Sequence, residues 1–177
     1  MPVETKGVNE LRKVMRKFVP DLAKETTKEL AAALKPITRN ARGFMPSNAD
    51  VPSGWLLENS KGAWKDRGYD SAIARRGITY STAASQPNRS GFRSIATIYN
   101  KSAGGAIYET AGRKSGITGN FTPRLNGELK GEGRKNTGRG IFRAAFEDQG
   151  KTTAAVMKAL ENMSAKAAEY VNKAGFR

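Results

Sequence analysis

The sequence predicts an α+β fold: a small antiparallel sheet packed by a kinked N-terminal helix and a C-terminal helix, with a long glycine-rich basic loop. Three observations carry that expectation. Apolar residues recur at helical spacing near both ends of the 177-residue chain, and two β-branched and aromatic runs occupy its middle. Residues 112–140 hold eight glycines and no sustained periodicity.

Val8, Leu11, Met15, Phe18 and Leu22 share one helical face, and the pattern resumes at Leu30, Leu34, Ile37 and Ala41. Asn9 suits an N-cap and Glu10 the first turn, where a negative charge meets the helix dipole. Pro20 has no N–H to give, so a kink or break is expected there. Pro36 should disturb the second segment, and Gly43 and Pro46 should end it. The opposite face carries Arg12, Lys13, Arg16, Lys17, Lys24, Lys28 and Lys35, which reads as a solvated charged surface.

Residues 46–111 begin in a different texture, Pro, Gly, Ser and Asn around Trp55 and Trp64. This reads as a long loop with one short helix or strand. Trp55-Leu56-Leu57 is expected to pack on the core. Two large apolar rings in a polar loop also make Trp55 and Trp64 candidate intersubunit residues. Trp64, flanked by Lys61, Lys65 and Arg67, could alternatively stack on a base. Gly77–Thr82 and Phe92–Asn100 read as strands, joined across the turn-forming run Ser85–Gly91 into a hairpin. Ala103–Ala111 reads as a helical turn.

The basic loop, 112–140, has Arg113, Lys114, Arg124, Lys130, Arg134, Lys135 and Arg139 against two acids, a surplus of +5. The segments 1–45, 46–111 and 141–177 carry +5, +3 and +2. Its composition offers no core, so the loop is expected to lie along a polyanion or to clamp a neighbouring subunit, and the sequence leaves both open. In 141–177, Ile141, Phe142, Ala145 and Phe146 cluster, and Val156, Leu160, Met163, Ala167 and Tyr170 repeat the helical spacing. Glu147 and Asp148 read as first-turn residues of that helix, and Gly175 as its stop. The four segments together read as a single domain. Leu11, Met15, Phe18, Leu22, Val156, Leu160 and Met163 are the expected buried set, with both helices on one face of the sheet.

Composition restricts the chemistry. The chain has no cysteine and no histidine, which excludes thiolate nucleophiles, Ser–His–Asp triads and ordinary zinc sites. No metal or cofactor is expected. No apolar run is long enough for a membrane span, and the first nine residues lack the apolar part of a secretory signal. The net charge of +15 favours polyanionic partners. Gly133-Arg134-Lys135-Asn136 lacks the hydroxyl and the preceding strand of a phosphate-binding loop. No zinc finger, zipper or helix-turn-helix is present, so contact with phosphates rather than base readout is expected. Among the carboxylates, Glu58, Asp66 and Asp70 fall in the loop. Glu109, after Ile107-Tyr108, is expected to make a structural salt bridge or turn hydrogen bond.

Four short motifs fall in a recognisable order: the amphipathic helix Val8–Arg42, the step Ser53-Gly54-Trp55-Leu56, the turn Gly105–Gly112 and the helix entry Gly140–Ala145. In that order the chain resembles the tail-completion, or minor tail component, proteins of the head–tail joining region of long-tailed phages. The turn lacks the family's compact Glu-x-Gly-Thr ending, and Ala144 stands where a proline is common. The resemblance implies an α+β structural virion protein without enzymatic activity, located at the head–tail junction. It would form a homo-oligomeric ring, a hexamer, beside connector and tail-tube proteins, with genomic DNA passing through and no membrane involved. The charge alone also suits a free-standing, non-specific nucleic-acid-binding protein, and the carboxylates leave an enzyme without histidine as a third class.

Overall fold

The computed structural model describes residues 12–13, 15–17, 19–113, 121–130 and 137–173, and the side chain of Trp64 lies outside that description. The expectations for Val8, Asn9, Glu10, Leu11, Phe18, Lys114, Arg134, Lys135 and Gly175 therefore fall outside the described residues.

The fold is α+β. Met15–Lys17 are helical, and helix α1 (Pro20–Gly43) begins at the proline, where the missing N–H would have had no partner in any case. Pro36 lies inside α1 without interrupting it, and the helix stops at Gly43, where its end is expected. Leu30, Leu34, Ile37 and Ala41 are all buried along the same helix, on both sides of the proline, and this burial outweighs one lost ladder bond. Helix α2 (Ser71–Gly77) occupies the end of the expected loop, opened by Asp70, whose carboxylate accepts from the amide of Ile73 at 2.7 Å.

Strands β1 (Ile78–Ser81) and β2 (Thr97–Asn100) pair into a two-stranded antiparallel sheet. Both are shorter than expected. Gly77 closes α2 instead of opening a strand, and Phe92–Ala96 belongs to an irregular hairpin. Helix α3 (Ala103–Thr110) fulfils the expected helical turn, with the hydroxyl of Ser102 accepting from the amide of Gly105.

The C-terminal region is two helices, α4 (Ile141–Glu147) and α5 (Lys151–Lys173), separated at Gly150 with φ of 82°. Glu147 and Asp148 thus close α4 rather than open α5, and Glu147 pairs with Arg143 at 2.9 Å one turn earlier. Among the described residues no helix is long and apolar enough to cross a membrane.

The chain gathers into two compact units. One comprises residues up to Leu34, the stretch Ser81–Thr97 and the chain from Lys151. Its buried cluster joins Met15, Leu22 and Leu30 to Ala159, Leu160 and Met163, while Val156 is half-buried beside it. Lys166 pairs with Glu25, and Asn162 reaches Glu29, so α1 and α5 lie side by side here. The other unit comprises Lys35–Tyr80 and Ile98–Gly150. Its cluster includes Ile37, Met45, Trp55, Tyr69, Ile78, Tyr108 and Leu125.

Candidate nucleic-acid and subunit interface

Helix α4 is preceded by Gly140 at the N-cap, which has no side chain to cap the free amides. Glu109, at the end of α3, does so from elsewhere in the sequence. Its buried carboxylate accepts from the amides of Gly140 at 2.7 Å, Ile141 at 3.1 Å and Phe142 at 2.9 Å. The approach is close enough that a Cβ on Gly138 would collide with the carboxylate. Glu109 is therefore engaged in holding two chain segments together, capping the start of a distant helix rather than making the salt bridge or turn hydrogen bond expected from the sequence.

Arg139 does comparable work with the opposite charge. It is only 4% exposed, and its guanidinium donates to the carbonyls of Gly127 at 3.1 Å, Tyr108 at 3.1 Å and Ala111. Burial lowers its pKa. The Tyr108 hydroxyl donates to the carbonyl of Asn126 at 2.6 Å, and burial raises its pKa, so it stays a neutral donor. Gly127 sits over that hydroxyl with φ of 95°, a conformation and a space that suit glycine alone.

These contacts correct the expectation for the basic loop. Leu125 is buried in the core cluster, so part of the segment does supply core. Arg139 faces inward and is unavailable to DNA or to a neighbour. Arg113 is half-buried, donates to the carbonyl of Thr137 and lies 4.5 Å from the centre of the Phe142 ring. Lys130 pairs with Glu128 at 2.7 Å, and its backbone bridges to Gly138. Arg124 is exposed. Lys114, Arg134 and Lys135 lie outside the described residues.

Trp55 is a core residue, 7% exposed. Its indole N–H donates to the carbonyl of Arg67 at 3.1 Å, and its ring meets Tyr69 and Phe121. That satisfies the expectation of core packing and removes Trp55 from the candidate intersubunit surface. A cleft of about 860 Å³ opens beside it, lined by Pro52, Lys61, Ile107, Phe121 and Arg124 among others. Exposed apolar side chains are found instead at Ile73, Tyr99, Phe121 and Phe146 in this unit, and at Phe92, Tyr170 and Val171 in the other.

The structure corrects the expectation that Arg12 lies on a solvated charged face. Arg12 is buried, and its guanidinium donates to the carbonyls of Thr82 at 2.7 Å and Ile95 at 3.3 Å. These are the two legs of the 82–96 hairpin. Burial, and then Arg16, lower its pKa. Only the spacing Leu11–Met15 hinted at its position, which borders the apolar face of the helix. Among the described residues no cluster of His, Cys, Asp and Glu could hold a metal ion. No family model, curated protein or solved structure matches the chain.

Proposed function

We propose that this chain is a structural virion protein of the phage head–tail interface, a tail-completion or tail-terminator-type neck subunit. It assembles as a ring, a hexamer, between connector and tail-tube proteins at the head–tail junction, and DNA passes through the ring. The observation that supports this best is the junction at Glu109. Two motifs of the resemblance, the 105–112 turn and the 140–145 helix entry, meet there through three hydrogen bonds. A carboxylate so engaged is a poor general acid or base, which favours a structural over a catalytic role. A closed ring needs two different faces on each subunit, and exposed Phe121 and Phe146, with Tyr170 and Val171, offer apolar candidates.

Mass photometry and negative-stain imaging of the full chain test the reading. Closed rings of six subunits of 19.2 kDa, bound to the ends of isolated tails, are expected. A monomer at every concentration that also ignores tails would overturn it. The second reading, a free-standing nucleic-acid-binding protein, is favoured by the exposed arginines of the 82–96 hairpin, and monomers that bind DNA in a salt-dependent manner would establish it.

A further inference from the structure

From Ser71 to Tyr108 the chain contains no aspartate or glutamate, and within that stretch the 82–96 hairpin stands out. It has little regular structure, yet its backbone is tied. The amide of Ser85 donates to the carbonyl of Ser94 at 3.0 Å, and the amide of Ser94 donates back to the Ser85 hydroxyl at 2.8 Å. At the tip, the side-chain oxygen of Asn88 accepts from the amides of Ser90 and Phe92, both at 2.9 Å. Gly91, with φ of 75°, completes the turn. At the base, buried Arg12 holds both legs through Thr82 and Ile95.

The tip presents Arg89, Phe92 and Arg93, all exposed, with Phe92 38% exposed. An exposed aromatic side chain flanked in sequence by two exposed arginines, with no carboxylate in the stretch 71–108, combines two elements of nucleic-acid recognition. The cations neutralise phosphates, and the ring offers a stacking surface to an unpaired base. A turn already fixed by hydrogen bonds also loses little conformational freedom on contact.

We infer that the 82–96 hairpin is a nucleic-acid contact of this protein, with Arg89 and Arg93 on the phosphodiester backbone and Phe92 available to an unpaired base. Recognition is of charge and ring, without sequence preference. The inference rests on the proposed function for the presence of DNA, but its geometry belongs to the hairpin alone.

The test is fluorescence anisotropy of the full chain with a labelled mixed-sequence duplex and a matching single strand, over a salt series. The wild type should bind both. Arg89→Ser with Arg93→Ser should reduce the slope of log affinity against log salt by about 1.8 for the duplex, two phosphate contacts' worth. The ratio of affinities at 50 and 200 mM salt would then narrow by about 12-fold. Phe92→Ser should weaken single-strand binding about tenfold and leave the duplex slope unchanged. Removing the same charge from α1, by Lys24→Ser with Lys28→Ser, should leave the slope close to wild type. An equal fall in this control would overturn the inference, as would an unchanged slope in the arginine pair or absence of wild-type binding. So would tight binding to phosphatidylserine vesicles with no hairpin-dependent DNA binding. Mass photometry of the arginine variant separates the two proposals. Rings that persist while the slope falls support the hairpin role, and a wild type that never forms rings but shows the slope effect overturns only the ring.

Discussion

Two basic segments of this protein put their arginines to opposite uses. In the glycine-rich segment 112–140, which has the densest positive surplus of the four segments, Arg139 is buried among three carbonyls and Arg113 lies half-buried over Phe142. In the 82–96 hairpin, which has only Arg89 and Arg93, both face solvent from a tied turn. Charge density along a chain counts cations without saying where they point. A guanidinium has five donors, and where backbone carbonyls lack ladder partners it serves them before any external anion.

That contrast can be broken by substitution. Arg139→Ala should have the largest effect, about 3–4 kcal/mol of stability, because three carbonyls lose a charged donor inside a packed region. Urea unfolding measures it, and a midpoint close to wild type would show that the guanidinium is not structural. Glu109→Ala should cost about 2–3 kcal/mol by leaving the first amides of α4 without an acceptor. A loss of helical signal confined to a small fraction of the total, before global unfolding, would locate the effect at α4. Gly127→Ala should cost about 1–2 kcal/mol through its positive φ and the crowding on the Tyr108 hydroxyl. An unchanged or raised midpoint there would mean that the 125–127 turn relaxes freely. The hairpin pair Arg89→Ser with Arg93→Ser should lie at the other end, within about 0.5 kcal/mol of wild type. A large destabilisation in that pair would erase the distinction between the two segments.

How much of this was legible follows from how local each cause is. The α1 and α5 stripes were readable because their burial is periodic, and Met15, Leu22, Leu160 and Met163 are buried as read. Glu109 was readable as a structural residue, though not its target, which lies across a chain separation of about thirty residues. The signals for α2 were present in Asp70, the two arginines and Gly77, but the surrounding Pro, Gly and Ser texture masked them. The second strand was overextended because β propensity at Phe92–Ala96 yields to Asn88, whose side chain organises the turn, and to Arg12, which takes the Ile95 carbonyl. The inward direction of Arg139 had no local signal at all. It depends on carbonyls delivered by α3 and by the 125–127 turn, neither of which its own neighbourhood announces.

The unit built on α1 and α5 also sets an order in time. Its cluster takes Leu22 and Leu30 from near the beginning of the chain and Ala159, Leu160 and Met163 from near its end. During synthesis the stretches 35–80 and 98–150 are all in place by the time Gly150 is added, so the other unit has every residue it needs. Residues 151–173 follow over about one to five seconds at ordinary elongation rates. Through that interval the apolar face of α1 has no α5 to cover it. The growing chain therefore passes through a stage in which every residue of one unit has been made while the other still lacks its last helix and carries an open greasy stripe, the period when a holding chaperone has most to grip.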